Sequence, residues 1–341
     1  MKKFIKRIIG GLCTMSILMG TVIPAFATGV ASIPSQGKLI EESDPPLRLH
    51  YDEEAPYGNE GTADQSGITE NDGWERWSLP IGNGYFGANV FGRTETERIQ
   101  ITEKTLSNPY RIKDSEGNQQ TIGGLNNFSE TYIDFGHTNS KVTEYERYLD
   151  LKTAISGVTY NYNGVTYTRE YFTSYPDKVL VIRLDASDEG ALSFVLRPTV
   201  PWQQEYAAFE GDGASKTGTV VSSVENGVGQ ITLSGKMGYY DVDFVGYYCV
   251  YTNGGSVVAD TVEHRYTDKD GSVKTDIDGV IRVENATSAI IVATFGTDYE
   301  LCAENFENGQ YSHNKQTAKT TIDDAREKVQ DQLYAVTDAI T

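Results

Sequence analysis

Cysteine and histidine are scarce in this chain, with three and four residues in 341. Cys13 falls in an N-terminal leader, which leaves Cys249 and Cys302. Two thiols in so long a chain do not make a disulfide scaffold. The plainer reading is two small buried apolar side chains, with pairing left open. His50, His137, His264 and His313 are scattered, and no Cys/His cluster has zinc-ligand spacing, so no metal or cofactor is expected. Positive charge is short as well: 29 Lys and Arg face 48 Asp and Glu, for a net −19. That field repels nucleic acid and anionic membranes and favours solubility. Past the leader no run is apolar enough to span a bilayer, which excludes membrane insertion once the leader is gone. There is no G-x-S-x-G nucleophile elbow. Asp268–Gly271 and Asp276–Gly279 lack the spacing and terminal Glu of a calcium loop, and turn chemistry accounts for them.

What is present begins with a leader. Lys2, Lys3, Lys6 and Arg7 precede an apolar run from Ile8 to about Ile23, and Ala25-Phe-Ala27 offers a small-x-small cleavage site. Residues 1–27 therefore read as a signal peptide, and the expected location is secreted or cell-surface, in a bacterium. Losing four basic residues takes the charge from −19 to −23. Residues 28–73 are polar linker and loops, with a short strand at Leu47–Tyr51. Residues 74–312 carry the signature of a β-sandwich: 22 Tyr, 34 Gly and many short alternating runs. Strands are predicted at Tyr85–Phe91, Arg98–Thr102, Thr131–Phe135, Lys178–Leu184, Ala191–Leu196, Gln230–Leu233, Val242–Tyr251, Val280–Val283 and Ala289–Phe295. Asn163-Gly164 marks a two-residue hairpin, with Val158, Tyr160 and Tyr162 on one face before it and Val165 and Tyr167 after it. Over 316–341 apolar residues recur every three or four positions, which predicts one helix; Thr321 with Asp324 resembles a capping box, and no C-cap signal closes the pattern before Thr341.

Gly82, Gly84 and Gly87 satisfy G-x-G-x-x-G. The dinucleotide fingerprint needs a strand before its glycines and a helix after them. Here Pro80 precedes them and β-forming aromatics follow, so the nucleotide reading fails. The glycines instead suit a tight turn at Gly82-Asn83-Gly84 and close strand packing at Gly87 and Gly92.

The segment Trp74–Gly92, with W-S-L-P-I-G-N-G-Y-F-G-A-N-V-F-G at its heart, continues into Glu97-Arg-Ile-Gln-Ile-Thr-Glu-Lys-Thr-Leu106. Together they resemble the N-terminal domain of glycoside hydrolase family 95, chiefly α-L-fucosidases with some α-L-galactosidases. Tyr148-Leu-Asp-Leu-Lys-Thr-Ala154, Tyr167–Phe172 and Ser174–Leu184 are similar to later family segments. The chain departs from the pattern at Leu106-Ser-Asn-Pro-Tyr110, at Phe86 and at Ser78. The resemblance implies a mainly β fold, a large antiparallel supersandwich of galactose-mutarotase type. It also implies that the terminal helix leads toward an (α/α)6 catalytic barrel absent here, so no catalytic residue is assigned in this chain. The implied partners are that barrel and fucosylated glycans, and the implied reaction is inverting hydrolysis of terminal α-L-fucosyl linkages.

Inverting hydrolysis needs two converging carboxyls, and pairs such as Glu75 with Glu103 are only two among 48 acids. Sugar rings stack on exposed aromatic faces. Trp74, Trp77 and Trp202 are candidates, with Asn83 as a polar contact. For Trp77 the plainer role is a core or interface anchor; Trp202, between Pro201 and Gln203, reads as more open. A standalone carbohydrate-binding sandwich without hydrolysis is the alternative.

Overall fold

The computed structural model describes residues 47–55, 74, 77–113, 116–117, 119–201, 203, 215–238, 242–268 and 270–299. The leader, the helix over 316–341, Glu75, Trp202 and Cys302 lie outside the described residues.

Among the described residues, sixteen strands form two antiparallel sheets. The nine-stranded sheet runs in spatial order β1 (Arg48–Tyr51), β6 (Val142–Asp150), β7 (Ile155–Tyr162), β8 (Val165–Ser174), β9 (Val179–Ala186), β16 (Ser288–Thr297), β13 (Val242–Asn253), β12 (Val228–Met237) and β11 (Lys216–Glu225). The seven-stranded sheet runs β14 (Ser256–Thr267), β15 (Val273–Ala286), β10 (Leu192–Thr199), β5 (Gln119–Asp134), β4 (Thr96–Lys113), β3 (Phe86–Val90) and β2 (Leu79–Gly82). The expected β-sandwich is this pair of sheets. Each predicted strand overlaps an observed one and overruns it by no more than a residue at either end, and most of the observed strands are longer than the sequence pattern suggests.

The strands form because alternate residues have one place to go. In β7 and β8, Val158, Tyr160, Tyr167, Arg169 and Tyr171 are buried, while from Thr159 onward the residues between them are less so. Tyr160 stands opposite Tyr167 in the ladder, and their rings stack at 5.4 Å. The turn between them has φ 54° at Asn163 and 89° at Gly164, the left-handed pair that a two-residue hairpin requires.

The apolar interior is a chain of aromatic rings reaching from sheet to sheet. Phe86 of β3 meets Phe295 of β16 at 5.1 Å, Phe295 meets Phe128 of β5 at 5.5 Å, and Phe128 meets Phe244 of β13 at 5.2 Å, all edge-to-face. Backbone spacing permits this. A Cβ at Gly235 would lie 2.3 Å from the Phe244 ring, so only glycine lets that ring press on β12.

One sequence expectation changes. Pro80 argues against a strand ahead of the glycine motif, yet β2 covers Leu79–Gly82. The reason is position: β2 is the outermost strand of its sheet, and Asn83 N donates to Phe86 O with Pro80 falling in a ladder position whose nitrogen faces away from β3. The element after the glycines is strand β3, as the rejection of the nucleotide reading requires.

Candidate functional site

The glycine motif is a clasp. Asn83 is buried; its Oδ1 accepts from Tyr85 N at 3.0 Å and Phe86 N at 3.1 Å, closing the β2–β3 turn. Its Nδ2 donates to Ser174 O at 2.8 Å, tying that turn to the end of β8 in the opposite sheet. The amide is thus used within the fold. Gly84 has φ 82°, which the turn needs. Gly82 and Gly87 lack positive φ, and a Cβ on either would make contacts no closer than 3.3 Å. Gly92 has φ 77°, and a Cβ there would lie 2.7 Å from Arg147 Cδ.

Below the motif lies a buried charged network. Glu97 of β4 is fully buried. Its Oε1 accepts from Gly92 N at 2.8 Å and Arg98 N at 3.0 Å; its Oε2 accepts from Tyr171 OH at 2.8 Å and pairs with Arg169 Nη1 at 3.2 Å. Arg169 Nη1 also donates to Arg93 O at 2.8 Å. Arg147 of β6 donates to Glu53 O at 2.9 Å and Trp77 O at 2.6 Å, and its guanidinium lies over Tyr51 at 4.2 Å. It so fastens the chain after β1 to the chain before β2. Arg147 Nη2 and Arg169 Nε and Nη2 have no hydrogen-bond partner among the described residues. Burial pushes the Tyr171 phenol well up, so it stays a donor to Glu97. His137, stacked on Tyr162 at 4.3 Å and bonded through Nδ1 to Tyr160 OH at 2.8 Å, is pushed down to about 4 by burial and then by Arg169. It is neutral at ordinary pH.

Glu103, the other acid of the motif, is also enclosed. Its Oε2 accepts from Thr105 N, Thr105 Oγ1 and Leu106 N at 2.7, 2.6 and 3.0 Å. These bonds shape a bulge: Thr102 pairs with Asn127 and Ser107 with Leu125, so Glu103–Leu106 stand against Asn126 alone. Burial raises the Glu103 carboxyl.

The candidate sugar-contact residues separate. Trp77 is half-buried, 6.1 Å from Tyr51 between ring centroids and 6.0 Å from the Arg147 guanidinium. Trp74 donates through Nε1 to Gln100 Oε1. Trp202 lies outside the described residues, but its neighbour Gln203 does not. Gln203 accepts from Gly218 N at 3.0 Å and donates to Asp276 at 3.0 Å, at β11, the last strand of its sheet among the described residues. It walls an open groove of about 480 Å³ with Thr217, Thr219, Ser234, Lys236, Tyr266 and Asp276. Nearby, Lys216 is fully buried; it donates to Asn126 Oδ1 at 2.9 Å and to Asn127 O, and burial pushes it down to about 7.

Sequence reasoning did not single out Arg147, Arg169, Lys216 or Gln203. Arg169 was findable: it occupies an inward position of an alternating strand between Tyr167 and Tyr171, and an inward arginine requires a buried acid. Gln203 carried no local signal, since its role depends on a strand edge placed by tertiary structure.

The chain is 30% identical to alpha-L-fucosidase 2 of Arabidopsis thaliana, over 34% of this chain and 17% of that protein. It is 28% identical to the probable alpha-fucosidase A of Aspergillus oryzae, over 39% of this chain and 18% of that protein. It therefore spans under a fifth of the length of these curated relatives. A solved chain from the human microbiome, assigned as a kojibiose phosphorylase, aligns with 84% of this chain and 37% of its own, at 12% identity and a TM-score of 0.43. The model of the glycosyl hydrolase family 65 N-terminal domain matches residues 62–108 and 112–301. By that match the chain belongs to the family of glycosyl hydrolase family 65 N-terminal domains.

Proposed function

We propose that this chain is the N-terminal sandwich of a secreted α-L-fucosidase of the family 95 type, with hydrolysis carried out by a catalytic barrel outside these 341 residues. The observation that carries the reading is the use made of the motif's own carboxylates. Glu97 and Glu103 are each surrounded by three or more donors of the fold. A general acid or base must reach a glycosidic oxygen or a water held between two carboxyls; these two are occupied by backbone and side-chain donors of the fold. The motif then serves to build a rigid sandwich. The two α-fucosidase relatives support the substrate class, and the segments that resemble family 95 support the finer family. The leader over 1–27 supports secretion, and fucosylated glycans are the proposed substrates.

The test is the native product. With an antibody to this domain, the secreted protein should run well above 37.6 kDa, the mass of this chain, and should release fucose from an aryl α-L-fucoside with inversion. Turnover by the 341-residue chain alone, abolished by removing acids within it, would overturn the reading. A second reading, saccharide binding without hydrolysis, is favoured by the open polar groove beside Gln203.

A further inference from the structure

Three irregularities of the backbone meet at one surface spot. The first is the β2–β3 turn, where Gly84 at φ 82° and the Asn83 clasp bring out Tyr85. The second is the bulge of β4, where Glu103 gathers Thr105 and Leu106 and turns Lys104 outward; Lys104 N donates to Tyr85 O at 3.1 Å. The third is the β8–β9 connection. There Lys178 adopts φ 55°, a left-handed conformation uncommon for a lysine, and Ser174 Oγ bonds Asp177. The products converge. The rings of Tyr85 and Tyr175 stack at 5.5 Å with 29° between planes; Lys104 Nζ lies 4.3 Å and Lys178 Nζ 4.5 Å from the centre of the Tyr85 ring. Tyr175 is 66% exposed.

Each irregularity costs free energy, and bulges and left-handed residues persist where the surrounding structure uses them to aim side chains. Tyr85 packs in part against the core, but Tyr175 buries little area and the core does not need its ring. The chemistry of the cluster is specific. A flat phenol ring open to solvent stacks on the apolar face of a pyranose. Two ammonium groups within one ring's reach form charge-assisted hydrogen bonds to a carboxylate or sulfate. In a chain of net −19, which otherwise repels anions, two lysines held together on tyrosine mark a place where one is accepted.

We propose that Tyr175, Tyr85, Lys104 and Lys178 form a binding site for an acidic saccharide, with the sugar ring on Tyr175 and its carboxylate or sulfate on the two lysines. This goes beyond the hydrolase reading and does not depend on it. The test compares cellobiouronic acid with cellobiose, which differ by one carboxylate, titrated into the full chain at low salt by isothermal calorimetry or NMR. The acid should bind at least about tenfold more tightly, a difference of about 1.4 kcal/mol. In a Lys104→Gln/Lys178→Asn double variant the preference should vanish; Asn tolerates the left-handed backbone at 178. Tyr175→Ala should weaken binding of both sugars about fivefold or more. Circular dichroism separates loss of binding from loss of fold. Equal binding of the two sugars by the wild type overturns the proposal. So does the absence of saturable binding, or a preference that survives removal of both lysines. Neither probe carries fucose and no hydrolysis is read, so a negative result leaves the hydrolase reading standing.

Discussion

The interior of this sandwich has two unlike halves. One is the aromatic chain Phe86–Phe295–Phe128–Phe244, where the rings meet by shape and carry no charge themselves. The other holds Arg93, Arg147 and Arg169 around Glu97, wrapped in tyrosines. The same burial has opposite consequences in them. Apolar rings gain by leaving water, and a similar ring or aliphatic group can replace one at modest cost. Buried charges lose their hydration, and the attraction between them returns that loss only while every partner is in place. The charged half is thus the less forgiving one. It is also where Arg147 and Asn83 fasten loop to loop and sheet to sheet, so specificity of assembly is concentrated there.

The comparison can be broken by single substitutions. Glu97→Gln preserves volume but leaves Arg169 buried without its anion, and should cost about 3–5 kcal/mol. Phe295→Leu in the apolar half should cost less, about 1–2 kcal/mol. Urea denaturation of both variants decides it; equal midpoints would mean that the charged half is not the weaker one. A smaller effect sharpens the contrast through pH. Lys216 sits near 7 in the folded chain against an ordinary 10.5, so the unfolded chain holds the extra proton between those values. Stability from this group therefore rises with pH across that window. Lys216→Met should flatten the rise seen in urea midpoints between neutral pH and about 8.5, below the range where thiols and phenols ionise. The smallest change lies outside both halves. Gly164→Ala at φ 89° should cost about 1 kcal/mol, with the rest of the denaturation curve unchanged.

Much of the fold was legible because its signals are local. Asn163-Gly164, the alternation from Val158 to Tyr171, and the apolar runs in β9, β13 and β16 each state strand and face on their own. The same Asn-Gly signal stands at Asn226-Gly227, with φ 51° and 81°, and joins β11 to β12. It reads less clearly because its flanks are serine-rich and one of its strands lies at a sheet edge, exposed on many positions. The bulge at Glu103–Leu106 was not legible. Nothing in E-K-T-L says that the glutamate will turn back on its own strand, because that depends on the single residue Asn126 opposite. The candidate site followed the same division. The glycine motif announced a turn, and Gly84 supplies one. What that turn reaches, Ser174 from Asn83 and the ring of Tyr175 from Tyr85, is 91 and 90 residues away and appears only when the sheets close. Asn83 read as a sugar contact is instead occupied on both sides by the fold.

The outermost strands bear on a different matter, how molecules of this chain keep apart. A bare sheet margin is a template on which a second copy can lay a strand. At β2 the ring of Pro80 removes the outward N–H, so that margin has one fewer rung to offer. At β11 Gln203 places a side-chain carbonyl on Gly218 N, where an invading backbone would otherwise bond. A residue that walls a groove thus also plugs a rung of a sheet margin, and a substitution there would open that rung to a second copy.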